Sequence, residues 1–187
     1  NIYGPYGTYD GGREKVPAAL CRKVAAADPD GEIEVWGDGE QTRSFCYVED
    51  CVEGIYRLMQ SNYQEPLNLG SEDMLTVNQL ANMIIRIAGK GGVTLRHVDG
   101  PQGVRGRNSD NRQLRAVLRW EPSVTLSQGL EPTYRWIEKQ VAAGRPPGAT
   151  VRRQASDQPA GARSDPASPN GAGRKVLALK TAIEPGP

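Results

Sequence analysis

Apolar and polar positions follow two rhythms along the first 143 residues, one of period two and one of three to four. Glu32-Ile33-Glu34-Val35-Trp36 alternates polar with apolar like a half-buried strand, and Gly37-Asp38-Gly39 supplies turn chemistry after it. Thr42 to Val48 resumes an extended pattern, so the two segments are predicted to pair as a hairpin. Val48, Cys51, Val52, Ile55, Leu58 and Met59 recur at helical spacing and predict an amphipathic helix whose apolar stripe joins the core. Leu67 to Gly70 reads as a short strand. Thr76-Val77-Asn78-Gln79 has the form of a capping box, and one apolar face continues from Val77 through Ala88 to a stop at Gly89. Val93–Val98 reads as a strand, Asn111–Leu118 as a short helix and Leu126–Ala142 as a last helix, with Tyr134, Trp136, Ile137 and Val141 available for packing. Pro17 suits the first turn of a helix running through Val24, because its missing N–H is unpaired there in any case. Asn1-Ile2-Tyr3-Gly4-Pro5 reads as the end of a strand and its turn, so the sequence is expected to begin inside a larger protein. The content is mixed α/β.

Composition changes this picture at residue 144. The last 44 of the 187 residues hold seven Pro, six Gly and no aromatic, a Gly plus Pro share at which a core cannot offset the entropy of ordering the chain. A disordered, basic, Ala/Gly/Pro-rich tail is expected over 144–187. It carries seven Lys/Arg against three Asp/Glu, which leaves residues 1–143 slightly acidic, with 16 against 19. The whole chain has 23 basic and 22 acidic side chains, so no general attraction to nucleic acid or membrane is expected. No run is long and apolar enough for a membrane span and no signal segment opens the sequence, which reads as soluble and cytoplasmic. Cys21, Cys46 and Cys51 have neither even number nor CxxC spacing, and a solitary His97 has no second His beside it. No metal site is expected, and the cysteines read as small buried hydrophobes.

Two features bear on chemistry. Gly100, Gly103 and Gly106 superficially resemble a phosphate loop, but a dinucleotide fingerprint needs GxGxxG between a strand and a helix, and Pro101 with its polar neighbours argues for a loop. Cations gather in three separated places: Arg13, Lys15 and Lys23; Arg43; Arg105 and Arg107. Guanidinium groups bind phosphate oxygens bidentately and stay charged, so two that converge make a diphosphate clamp.

Several stretches then carry a family likeness. Asn1-Ile2-Tyr3-Gly4-Pro5, Trp36-Gly37-Asp38-Gly39, Gln41-Thr42-Arg43-Ser44-Phe45, Tyr47-Val48-Glu49-Asp50, Leu67-Asn68-Leu69-Gly70 and Trp120-Glu121-Pro122 resemble the C-terminal part of the extended short-chain dehydrogenase/reductases that act on nucleotide sugars. Gly11-Gly12-Arg13-Glu14-Lys15 and the run from Gly103 to Asn111 are similar to the GDP-mannose 3,5-epimerase family specifically. The resemblance implies an α/β fold in which residues 1–143 form the substrate-binding lobe with the end of a Rossmann sheet, lacking the N-terminal NAD-binding half. It implies conversion of GDP-D-mannose to GDP-L-galactose and GDP-L-gulose through a C4-keto intermediate, with NAD as cofactor, in a step that supplies ascorbate synthesis. It also implies a homodimer for the whole protein, paired through helices of the other half.

Position by position, the resemblance makes Lys15 a proton-exchanging residue and places Asn1 and Glu14 near the sugar. Lys23 falls on the nucleotide side, Gln41, Thr42 and Arg43 line the nucleotide-diphosphate site, and Arg107 grips the diphosphate. The sequence departs from the family in lacking the glycine fingerprint and any Tyr-x-x-x-Lys, and the family's exchanging Cys has no counterpart among the three present. The chain is therefore expected to be inactive alone. Two other readings stand beside this one: another extended short-chain epimerase or dehydratase, and a non-catalytic sugar-nucleotide-binding or scaffold module.

Overall fold

The computed structural model describes residues 1–101 and 103–144; the disordered tail expected from residue 144 falls, Gly144 apart, outside the described residues. Three helices build the core. α1 (Val16–Ala26) carries Pro17 in its first turn, α3 (Val77–Ala88) has the full reciprocal capping box of Thr76 and Gln79, and α5 (Leu126–Ala142) repeats it with Thr125 and Gln128. α3 stops at Gly89, whose φ of 69° is the left-handed cap that glycine adopts without steric cost. Their apolar faces meet through Leu20, Cys21 and Val24 of α1, Leu80, Ile84 and Ile85 of α3, and Leu130, Tyr134 and Ile137 of α5. Lys90, just past α3, donates to the carbonyls of Val24, Ala25 and Ala27 at 2.7–2.9 Å, capping the end of α1.

The strands form three small sheets. β2 (Glu32–Trp36) pairs in parallel with β6 (Thr94–Val98), and its inward residues Ile33 and Val35 reach the helical core. β1 (Ile2–Tyr3) pairs in parallel with β4 (Cys46–Tyr47). β3 (Thr42–Arg43) lies between β5 (Leu75–Thr76), antiparallel, and β7 (Gly106–Arg107), parallel. Two further helices, α2 (Val48–Gln60) and α4 (Arg112–Leu118), complete the described chain.

Three expectations are corrected. The hairpin of 32–36 with 42–48 does not form. Gly37 N–H extends the β2–β6 ladder by donating to Val98 O, and Asn78 N–H takes Gly39 O while its side chain donates to Asp38 O and Glu40. The turn is thus clamped to the start of α3, which sends β3 away from β2. Leu67 to Gly70 is no strand, for Gly70 O accepts from the side chain of Asn111 instead of a ladder partner. The apolar stripe of α2 is core only in part: Cys51 is buried and Val48 packs against the core, but Val52 and Met59 are 61% and 74% exposed and Ile55 is exposed with them. Beside Cys51 the helix buries Asp50 and Gly54, and a Cβ at Gly54 would overlap Leu69 and Trp120, so the close approach itself selects which face is covered. Asp50 fixes that face by accepting from the N–H groups of Ser123 and Val124 at 3.2 and 2.9 Å.

Candidate functional site

The site grows from the three-stranded sheet. Arg43 and Arg107 are register partners on β3 and β7, and directly opposed residues of paired strands project from the same face, with strands about 4.8 Å apart. Both arginine side chains therefore start from one side of the sheet. Thr42 N–H and Ser44 N–H bond Arg105 O and Arg107 O, at 2.8 and 3.2 Å, and hold this pairing. The Thr42 hydroxyl faces the same Arg105 carbonyl at 3.4 Å. Asn1 is drawn in from the other end of the chain, its amide donating to Ser44 O and its carbonyl accepting from Cys46 N–H. Behind Arg107, buried Asn111 donates to Gly70 O at 2.6 Å, accepts from the Ser109 hydroxyl and takes Glu72 at its backbone N–H. Arg115 in turn bonds Glu72, and this hydrogen bond holds the Glu72 carboxyl below the ordinary carboxylate range.

A cavity of about 380 Å³ opens between α1, β2 and β3, with Glu14, Lys23, Glu34, Trp36, Gln41 and Arg43 in its wall. Gln41 is only 7% exposed and the Glu14 side chain 11%, and each has one buried oxygen without a hydrogen-bond partner. The second Glu14 oxygen lies 3.7 Å from Arg22, and the Gln41 amide donates to Trp36 O. Lys23 donates to Glu34 O at 2.7 Å; burial pulls its ammonium below the ordinary lysine range, with Glu34 and Glu14 opposing that shift and Arg22 adding to it. The wall thus combines cations at its edge, two unpaired acceptors inside it and one indole.

The residues singled out from the sequence divide among three openings, except Thr42 and Arg105, which line none of them. Glu14, Lys23, Gln41 and Arg43 share the cavity just described. Lys15, exposed at the N-cap of α1, lines a second opening of about 270 Å³ with Arg13 and the Gly4–Thr8 turn. Asn1 and Arg107 line a third of about 230 Å³ with Ser44, Asn68, Asn108 and Ser109. Ile2 belongs to the walls of both the second and third, so these two are neighbours. Lys15, Arg43 and Arg107 therefore line three different openings, and of the three only the two arginines are joined, by the register of β3 with β7. Arg105 is committed to an ion pair with Asp38 at 2.9 Å. Sequence reasoning did not assign Trp36, Glu34, Ser44 or Ser109 to a site. Only Trp36 carried a signal, a large aromatic at an outward position of an alternating strand.

Gly100 to Gly106 runs from β6 into β7 and opens no helix, so it does not form the strand-to-helix cradle that holds a dinucleotide. Among the described residues no group of three or more His, Cys, Asp or Glu side chains is placed to hold a metal ion. No described helix is long and apolar enough to cross a membrane. The three cysteines are buried, and burial pushes the Cys21 thiol up to about 12 and the Cys46 thiol up to about 11, with Cys51 shifted in the same direction. Since the thiolate is the nucleophile, a disulfide reagent at pH 8 is expected to leave the folded chain unlabelled and to titrate all three thiols after denaturation. Fast labelling of the folded chain contradicts their role as buried apolar groups.

Comparison with known proteins agrees with this architecture. The model of the NAD dependent epimerase/dehydratase family matches residues 1–70. GDP-mannose 3,5-epimerase of Arabidopsis thaliana is 44% identical over 164 residues, which cover 88% of this chain and 43% of that protein. The structure of UDP-glucose 4-epimerase from Thermotoga maritima, determined with UDP-glucose, superposes with a TM-score of 0.67 at 30% identity, over 75% of this chain and 44% of that one. UDP-glucuronic acid 4-epimerase from Bacillus cereus, in complex with UDP-glucuronic acid and NAD, gives 0.61 at 26% identity, over 74% and 43%. The chain belongs to the NAD-dependent epimerase/dehydratase family and carries part of its extended short-chain dehydrogenase/reductase, Rossmann-type fold, with GDP-mannose 3,5-epimerases among its relatives. It spans less than half the length of the Arabidopsis relative.

Proposed function

We propose that residues 1–143 are the nucleotide-sugar-binding lobe of a GDP-mannose 3,5-epimerase. The observation that carries this reading is the register pairing of Arg43 with Arg107, beside a cavity that already contains Glu14, Lys23 and Gln41. The paired guanidiniums take the diphosphate through charge-assisted bidentate bonds, and the cavity on the Lys23 side takes the nucleoside. The third opening, with Asn1, Ser44 and Ser109, receives the sugar hydroxyls next to Arg107. Lys15, in the adjoining opening, is the proton-exchanging residue of this reading, and Arg13 stands in the same wall.

NAD supplies reversible oxidation at the sugar carbon when bound to the whole enzyme. The described residues offer no dinucleotide cradle, so the share of the reaction that falls to this chain is to bind and orient substrate and to present Lys15. Binding energy from the nucleotide end is what fixes the sugar in reach of that amine. By itself the chain binds without turnover, and in the family the whole protein pairs as a homodimer.

Calorimetric titration of the full 187-residue chain with GDP-mannose tests the reading. Saturable binding is expected at low salt, weakening as salt screens the partly exposed arginines. No heat of binding under low-salt conditions contradicts it.

A further inference from the structure

Lys15 sits at the N-cap of α1 in extended backbone, with φ −80° and ψ 157°. Adjacent side chains of an extended segment point to opposite sides, and Glu14 and Lys15 line different openings. Whatever holds Glu14 on its side therefore decides which opening Lys15 faces. The glycine corner before it does not. Gly11 and Gly12 turn with φ of 89° and 82°, and a Cβ at Gly12 would meet nothing within 4 Å, so no packing steadies that residue. Tyr9 anchors the entry to the loop, buried and edge-on to Trp136. One side chain then spans the loop from entry to exit. Arg22, two turns along α1 from Lys15, donates through Nε to Tyr9 O at 3.2 Å, keeps the same nitrogen 3.4 Å from Asp10 Oδ1, and places Nη2 3.7 Å from Glu14 Oε1. Asp10 accepts from Gly11 N–H at 2.7 Å, which joins the glycine corner to the same guanidinium.

From this we infer that Arg22 is a positioning residue: by fastening Glu14 on one side of the loop it aims Lys15 into the opposite opening. The inference rests on the reading of Lys15 as the proton-exchanging amine and adds the residue that orients it. Arg22 acts only through the loop. Its planar fork holds three acceptors in fixed directions, which a lysine ammonium in the same place does not reproduce. The orientation matters because an amine on an untied glycine loop samples both sides, and misplacing a reacting group by about 1 Å can cost roughly a hundredfold in rate. The ties also explain how a loop with two left-handed glycines keeps one course: it runs back along α1, with Arg22 joining residues 9 and 10 to residue 14.

Two measurements on the full chain test this. The first needs no ligand: trypsin cuts after Arg13 and Lys15 once the loop leaves α1. Arg22→Gln is expected to speed cutting at those two bonds about tenfold, the effect of losing one hydrogen bond from a charged donor, with Arg22→Lys between the two. Hydrogen exchange in α5 is expected to stay unchanged, whereas a merely structural role of Arg22 raises it as well. The second measurement is reductive methylation of Lys15 at saturating GDP-mannose, so that a change of affinity alone does not register. The ligand is expected to slow modification of Lys15 in the unaltered chain, and Arg22→Gln to lose that protection. Equal cutting of the unaltered and Arg22→Gln chains, or protection that survives in Arg22→Gln, overturns the inference and leaves the reading of Lys15 standing. No protection of Lys15 in the unaltered chain contradicts that reading itself, and the inference falls with it. If Arg22→Gln does not fold, Asp10→Asn decides: it keeps the oxygen that Gly11 bonds and removes a charge from Arg22. Cutting about threefold faster is then expected, the scale of a partly exposed ion pair, and an unchanged rate overturns the inference.

Discussion

Replacing both Arg43 and Arg107 by Met is expected to weaken binding of a nucleoside diphosphate sugar to the full chain by more than about a hundredfold, with each single change costing roughly tenfold or more. The two residues are opposed across β3 and β7, so a diphosphate bridging them loses a bidentate partner with each substitution. Arg43 also donates to Thr42 O at 2.6 Å, which fixes its side chain before ligand arrives and reduces the entropy lost on binding. Arg43→Lys is expected to recover only part of the affinity, because an ammonium keeps the charge without the planar fork. Titration of the single and double variants checks this, and losses smaller than twofold would mean the arginines do not share a ligand.

Truncating Tyr134 to Ala is expected to cost about 4 kcal/mol, the range for removing a fully buried aromatic together with the cavity it leaves. Tyr134 has no exposed surface, lies in the shared core of α1, α3 and α5, and ends in a hydroxyl that donates to Glu138 at 3.0 Å. Burial, reinforced by that carboxylate, holds its phenol above the ordinary tyrosine range, so no ionised form competes near neutral pH. Urea denaturation of the variant reads the loss directly. A change below about 1 kcal/mol would place α5 outside the core, because surface substitutions are of that size.

What the sequence revealed and what it concealed follow from the range of the interactions involved. Thr76–Gln79 and Gly89 bound α3 by contacts within a few residues, and the same holds for Pro17 at the start of α1, so these elements were legible. The partner of β3 is set by Asn78 clamping the Asp38–Glu40 turn from some forty residues away, and no local period encodes that, hence the false hairpin. The stripe on α2 was visible as a pattern, but which face the helix covers depends on Leu69 and Trp120 meeting Gly54, a tertiary fact. The candidate site shows the same division. Residue types at 13–15, 41–43 and 105–107 announced anion chemistry, while only the β3–β7 register brings Arg43 to Arg107 and leaves Lys15 in a neighbouring opening. The unpaired oxygens of Glu14 and Gln41 had no sequence signature, since acceptors become orphans only through the packing around them.

Hydrogen–deuterium exchange of the full chain with and without GDP-mannose probes the central claim most directly, because it reports which backbone segments the ligand holds. Slowed exchange is predicted over residues 12–23, 34–43 and 105–109, with the core of α5 unchanged. Ligand-dependent protection confined to other segments, or none at saturating ligand, would contradict a nucleotide-sugar site built across β3 and β7.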